Sequence, residues 1–251
     1  MSSLLNVTDL ECSYGTLVAL RGVSLSVEAG QCVCIVGPNG AGKSTLVSNI
    51  AGIFKPTHGK MAFLGQEIVG RGVEAVSRLG IALVPEGRRI FGSMSVAENL
   101  LLGATRRRGD GRARINEDIE RSLDKFPVLR ERFQSQAGNL SGGEQQMLSI
   151  ARALMSRPRL IMIDEPSLGL APLVVDRVYE VLASLRQETG IGMVLVEQST
   201  SRIADIADVV HVVSGGRFVM TAQGGNALDD KVLQEAYFGR DAHAGTGISP
   251  P

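Results

Sequence analysis

The chain has little of several things that would narrow its chemistry. Only three cysteines occur in 251 residues, Cys12, Cys32 and Cys34, too few for a disulfide framework. Cys32 and Cys34 alternate along one apolar segment, so both side chains share a face of a strand, and they read as a buried pair rather than a metal site. The three histidines, His58, His211 and His243, are scattered, and none stands in metal-ligand spacing. Neither sign of charge is in excess, with Lys+Arg and Asp+Glu at 26 each. That balance excludes a chain-wide field recruiting nucleic acid or anionic lipid. The one dense basic stretch, Arg106-Arg107-Arg108 continued by Arg112 and Arg114, lies among Gly103, Gly109, Asp110 and Gly111, and reads as a solvated loop. No apolar run approaches the ~18 residues of a membrane span, and Met1-Ser2-Ser3-Leu4 lacks a signal-peptide pattern. The chain is therefore expected in the cytoplasm, and any membrane role has to come through a partner.

Glycine, by contrast, is placed with purpose. Gly37-Pro38-Asn39-Gly40-Ala41-Gly42-Lys43-Ser44-Thr45 fits the phosphate-binding pattern G-x-x-x-x-G-K-[ST]. At average glycine usage such a match arises by chance in roughly one chain of this length in a hundred. The flanks add to it: the β-prone run Gln31 to Val36 precedes the loop, and Leu46 to Ala51 reads as a helix ending at Gly52. A strand, a glycine-rich turn and a helix N-terminus make an anion site from backbone N–H groups and the helix dipole. Lys43 would reach the outer phosphates of a nucleotide and the Ser44 hydroxyl would hold Mg²⁺.

Around this loop the pattern is α/β. Leu4 to Leu10, Val18 to Val27 and Met61 to Leu64 read as strands, with a turn over 54–59, and Ile81 to Val84 as a short buried strand closed by Pro85. From about Ser95 to Leu154 the pattern is helical. Ser95-Val96-Ala97-Glu98 forms a capping box, and Ile115, Ile119, Leu123 and Phe126 line one face of a second helix. Strands return at Leu160 to Ile163, Met193 to Val196 and Val209 to Val213, with a helix from about Leu173 to Glu188. The expected architecture is a mostly parallel sheet with an N-terminal antiparallel portion and an inserted helical lobe. The core is expected over 1–91 and 156–240, the lobe over about 92–155, and a frayed small-residue tail over 241–251. No repeats or linkers divide it, so it reads as one nucleotide-binding unit.

Two further clusters carry chemistry. Leu160-Ile161-Met162-Ile163-Asp164-Glu165-Pro166 is a buried strand closed by two carboxylates, and such strands deliver their C-terminal residues to the ligand crevice of a parallel sheet. Asp164 is then placed to take Mg²⁺ beside Ser44, and Glu165 to polarise the water that attacks the terminal phosphate. Leu140-Ser141-Gly142-Gly143-Glu144-Gln145 opens a helix with a hydroxyl and uncrowded N–H groups at its positive end. A second anion site in one chain suggests service to a nucleotide held by a neighbouring subunit; the simpler reading is a capped helix whose double glycine still needs a reason.

In order and spacing, the phosphate loop, Leu140 to Gln145 and Ile163 to Pro166 resemble the ATP-binding subunits of ABC transporters, over about residues 4–238. The resemblance implies an ATPase that pairs head to tail with a second one. Each ATP, with Mg²⁺, would lie between one subunit's loop (Gly37, Pro38, Asn39, Gly40, Ala41, Gly42, Lys43, Ser44, Thr45) and the other's Ser141, Gly142, Gly143 and Glu144. It also implies adenine stacking on Tyr14. The chain departs from the family where Glu86 stands in place of the usual Mg²⁺-sensing Gln, Gln198 in place of the γ-phosphate-sensing His, and Ala171 in place of an Asp. A carboxylate at Glu86 can still hold Mg²⁺ through water, and Gln198 can bond a phosphate oxygen without carrying charge. Val84 to Phe91, Ser141 to Leu148, Pro166 to Pro172 and Val196 to Gln198 are similar to the smaller ATPase subunit of bacterial branched-chain amino acid importers. That likeness implies a non-identical ATPase partner, two membrane permease subunits, a periplasmic binding protein acting indirectly, no nucleic acid, and a place on the cytoplasmic face of the membrane. Segment 86–95, with Arg88, Arg89, Ile90 and Phe91, is expected to help form the groove for a permease loop. Importers of urea, short amides or other amino acids are the alternative, and a non-transport ATPase acting on nucleic acid a more distant one.

Overall fold

The computed structural model describes residues 3–107, 109–199, 203 and 205–224. The expected tail over 241–251, together with His243 and Arg108, lies outside them. In chain order the elements are β1 (Leu5–Tyr14), β2 (Leu17–Val27), β3 (Cys32–Val36), α1 (Lys43–Ile50), β4 (His58–Phe63), β5 (Gln66–Glu67), α2 (Val73–Arg78) and β6 (Ile81–Val84). Then follow α3 (Val96–Gly103), α4 (Arg112–Lys125), α5 (Pro127–Glu131), α6 (Gly142–Leu154), β7 (Leu160–Asp164), α7 (Pro172–Thr189), β8 (Gly192–Glu197), β9 (Val209–Ser214) and β10 (Arg217–Gln223).

Two sheets result. The first runs β2-β1-β4-β5 and is antiparallel throughout; the second runs β10-β9-β3-β8-β7-β6, parallel except for the β9–β10 hairpin. The expected combination of a parallel sheet with an N-terminal antiparallel portion is borne out. Because the parallel strands are covered on both faces, they are apolar at nearly every position, and β3, β7 and β8 are buried end to end. Alternation along β3 splits its side chains between two cores. Cys32, Cys34 and Val36 face Leu148, Val178 and Leu182 of α6 and α7, whereas Val33 and Ile35 face Leu46 and Ile50 of α1 and the first sheet. Cys32 and Cys34 are buried with their Sγ atoms 4.0 Å apart, as the alternation predicts.

Helices α3 and α6 each start at a reciprocal cap. Ser95 and Glu98 exchange side-chain and backbone hydrogen bonds at the head of α3, completing the expected capping box. On α4, Ile119 and Leu123 are buried, Ile115 is partly so, and Phe126 closes that face just past its end. Among the described residues, no helix is long and apolar enough to cross a membrane.

The basic stretch departs from expectation. Arg112 and Arg114 belong to the first turn of α4, and Arg107 is no solvated residue: its side chain is 8% exposed and pairs with Asp110 at 2.7 Å and Asp118 at 2.6 Å. It also donates to the Met155 carbonyl at 2.9 Å. Carboxylates on the adjoining turns supply the charge that lets a guanidinium be buried, so Arg107 fastens the head of α4 to the end of α6.

Candidate functional site

Four parallel strands end side by side. Val36 of β3 is level with Glu197 of β8, Asp164 of β7 with Val196 of β8, and Val84 of β6 with Ile163 of β7. The segments leaving these ends are the phosphate loop, Glu165, Gln198 and Glu86, which share the crevice edge of the sheet.

The end of the loop packs closely against β2. Gly42, just before α1, sits at φ 105°, and a Cβ there would lie 2.6 Å from the Ala19 carbonyl oxygen and 2.9 Å from Leu20 Cδ2. Both conformation and space demand glycine. α1 begins with no side-chain cap and no acidic residue in its first turn, which leaves its positive end to an external anion.

Lys43 is 4% exposed and donates to the Gly37 carbonyl at 2.7 Å and the Pro38 carbonyl at 3.1 Å. Its Nζ is 3.5 Å from Glu165 Oε1. Gln198 Nε2 donates to the other oxygen, Glu165 Oε2, at 2.8 Å. Glu165 therefore sits between a cation and an amide, with its backbone at φ 50° and its N–H donated to the Val196 carbonyl at 2.9 Å. Asp164 is 4% exposed. Burial pushes its pKa up to about 6; a hydrogen bond with Ser44 opposes the rise, and the nearby Glu165 and Glu86 charges add to it. Asp164 Oδ1 has no hydrogen-bond partner. An orphaned buried carboxylate oxygen beside a serine hydroxyl suits a hard divalent cation. Among the described residues, no group of three or more His, Cys, Asp and Glu side chains is arranged to hold a metal ion by itself.

Tyr14, Asn39, Gly40, Gly42, Lys43, Ser44, Thr45, Glu86, Glu165 and Gln198 line one cavity of about 410 Å³. Tyr14, at its rim and 41% exposed, donates its hydroxyl to Thr45 Oγ1 at 3.3 Å and meets Phe54 edge to face, with ring centroids 5.3 Å apart. Gly37, Pro38 and Ala41 complete the loop behind them.

Ser141, Gly142, Gly143 and Glu144 stand apart from this cavity, at the head of α6. There Ser141 Oγ accepts the Glu144 N–H at 3.4 Å and the Glu144 carboxylate accepts the Ser141 N–H at 2.6 Å. The double glycine has a steric reason within this chain. A Cβ on Gly142 would come 2.8 Å from Arg88 Nη2, and one on Gly143 would come 2.5 Å from Val174 Cγ1. The segment expected to line a permease groove is divided. Phe91 lines a second cavity of about 410 Å³ with Ile53, Val73, Pro85 and Arg152, and Arg152 lies over its ring at 5.2 Å. Arg88, by contrast, lies over Gly142, and Arg89 contributes its carbonyl, which accepts from Arg152 at 2.6 Å.

Sequence reasoning gave no role to Glu197, a buried carboxylate at the end of β8, or to its partners Tyr179 and Ser167. The signal was present: an apolar strand closed by a carboxylate, as at Asp164.

The sequence model described as ABC transporter matches residues 20–168. Over 236 residues the chain is 40% identical to the high-affinity branched-chain amino acid transport ATP-binding protein BraG of Pseudomonas aeruginosa, covering 94% of this chain and all of that protein. It is 31% identical to BraF of the same organism, with 94% and 98% covered. With the probable branched-chain amino acid transport ATP-binding protein LivF of Archaeoglobus fulgidus it shares 30% identity, with 94% and 99% covered. Among solved structures, a nucleotide-free ATP-binding cassette superposes with a TM-score of 0.81 at 27% identity, covering 93% of this chain and 98% of that one. Another cassette, in its ADP conformation, gives a TM-score of 0.79 at 28% identity over 95% and 100%.

Proposed function

Because the chain belongs to the ABC transporter family, we propose that it is the ATP-hydrolysing subunit that powers import of branched-chain amino acids through a membrane permease. The observation that carries the reading is the connected run Lys43–Glu165–Gln198 beside the buried Asp164, in one cavity with the phosphate loop. Likeness to BraG along that protein's whole length favours the substrate class.

In this reading Tyr14 takes the adenine, while Lys43 and the N–H groups of 37–45 hold the phosphates. Ser44, Asp164 and Glu86 would hold Mg²⁺. When bound, the metal neutralises charge on the phosphate oxygens. Glu165 accepts the proton of the attacking water, and Gln198 steadies that carboxylate and bonds a phosphate oxygen. Ser141, Gly142, Gly143 and Glu144 serve the ATP of a second, non-identical ATPase, which closes on this one when nucleotide bridges the two. The parts divide as core 1–91 and 156–240 and lobe 92–155. The cavity at Phe91 receives a loop of one of two permease subunits, which hold the protein at the cytoplasmic face of the membrane. A substrate-binding protein acts on the far side.

The test is labelled leucine uptake in host cells lacking this chain, restored with wild type or with Lys43→Ala. Rescue by wild type alone is expected. Uptake unaffected by loss of the chain would overturn the branched-chain assignment, keep the ATPase, and bring urea and short amides forward as substrates.

A further inference from the structure

The functional reading leaves one buried carboxylate without a task. Glu197 is 4% exposed, and three donors converge on it. Its Oε1 accepts the Tyr179 hydroxyl at 2.8 Å and the Ser167 N–H at 3.2 Å, and its Oε2 accepts the Ser167 hydroxyl at 3.0 Å. Burial, then the adjacent Glu197 charge, pushes the Tyr179 phenol far above its ordinary range, so it remains a donor. Burial likewise raises the Glu197 pKa, against which all these donors pull. One side chain thus joins the end of β8, the middle of α7 and the turn that follows β7.

Its immediate surroundings lead to the reacting groups. The Glu197 carbonyl accepts the Gly37 N–H at 3.3 Å, the preceding carbonyl of Val196 accepts the Glu165 N–H at 2.9 Å, and the next side chain, Gln198, donates to Glu165 Oε2 at 2.8 Å. Glu165 is held at φ 50°, a backbone conformation that persists only where its surroundings over-determine it. Its N–H is fixed by β8. Two residues on, Ser167 is fixed at both backbone and hydroxyl by Glu197. The turn is pinned on either side of the strained residue, and each pin comes from the end of β8.

The geometry points to Glu197 as a positioning residue for ATP hydrolysis: it locks the 165–167 turn to β8, so that the Glu165 carboxylate and the Gln198 amide stay facing each other in the cavity. This rests on Glu165 being the base. The lock works through accepted hydrogen bonds, so a neutral acceptor of the same shape replaces it. A glutamine keeps its oxygen for Tyr179 and the Ser167 N–H, and offers its amide to a Ser167 hydroxyl that can turn to accept.

The experiment is steady-state ATP hydrolysis by the transporter assembled with its partner ATPase and permeases. Glu197→Ala is expected to lower kcat about tenfold or more while KM for ATP stays within about twofold, because Lys43 and the head of α1 are untouched. Glu197→Gln is expected to recover kcat to within about threefold of wild type. A Glu197→Ala kcat within twofold of wild type would overturn the proposal, as would a Glu197→Gln enzyme as slow as the alanine one, or a KM that rises in step with the loss. If Glu197→Ala does not fold, Tyr179→Phe and Ser167→Ala carry the test: lowered kcat at unchanged KM supports the lock, and wild-type kcat in both overturns it. Glu165→Gln is run alongside; near-normal turnover there would remove the base itself, a result separable from every Glu197 outcome.

Discussion

Replacing Lys43 with methionine isolates what the buried pair at the site does for the nucleotide-free protein. Lys43 and Glu165 have side chains only 4% and 7% exposed, with Nζ and Oε1 3.5 Å apart. At an effective dielectric of about 20, that separation corresponds to about 5 kcal/mol of attraction, most of it offset by desolvation of the two charges. Removing the cation leaves the desolvation without its compensation, and breaking such pairs costs about 3–5 kcal/mol. Lys43→Met is therefore expected to lose about 3 kcal/mol of unfolding free energy. Adding Glu165→Gln removes the stranded charge and should recover most of the loss. What remains, about 1–2 kcal/mol, reflects the Gly37 and Pro38 carbonyls that Lys43 had satisfied at 2.7 Å and 3.1 Å. Urea unfolding of wild type, the two single variants and the double variant measures each quantity. A double variant no more stable than Lys43→Met, or a Lys43→Met loss below about 1 kcal/mol, would refute the reasoning.

Two further outcomes are expected. Glu165→Gln in the assembled transporter should bind ATP as wild type does and hydrolyse it about 10²–10⁴-fold more slowly, checked by nucleotide binding and single-turnover hydrolysis; near-normal turnover would take the base role from Glu165. His211 is 8% exposed and hydrogen-bonded to Thr221 Oγ1 at 2.8 Å, and burial lowers its pKa to about 4. The unfolded chain then binds more protons between about pH 6.5 and 4, so this histidine's share of stability, up to about 3 kcal/mol, is present above pH 6.5 and lost as pH falls towards 4. Denaturation at pH 7.5 and 4.5 should show a smaller acid loss in His211→Gln than in wild type, and equal losses would remove His211 as the cause.

Much of the site could be read from sequence because its parts lie at element boundaries with strong local chemistry. The loop before Lys43 needs glycine for conformation and space, Asp164 closes an apolar strand, and Ser95 and Glu98 cap α3 reciprocally. What escaped depended on partners distant in sequence. Arg107 reads as a solvated charge until Asp118, eleven residues on, is brought beside it. Strand β10 alternates between half-buried and exposed residues at a sheet edge, so it lacks the continuous apolar run of its neighbours. Helix α2 is only six residues long, too short for a 3.6-residue period to stand out. At Gly143 the need for glycine comes from Val174 on a different helix, which spacing within α6 cannot reveal. Glu197 obeyed the rule that found Asp164, yet its task emerges only when α7 and the turn after β7 close over it.

The strand order has a consequence for the growing chain. β3 ends at Val36, and its two neighbours in the sheet are β8 and β9, the first of which begins at Gly192, 156 residues later (192 − 36). At about 5–20 residues per second, the ribosome takes roughly 8–30 s to cross that interval. Throughout it the glycine-rich loop hangs from a strand whose two sheet neighbours are not yet made, and Glu165, once made, still waits for the backbone acceptor at Val196 that supports its left-handed turn. Nucleotide cannot guide the early stages of folding, because the groups that would grip it are assembled among the last. Newly made protein therefore becomes an ATPase in one late step, and a product cut short before β8 carries the loop's residues without a sheet to hold them.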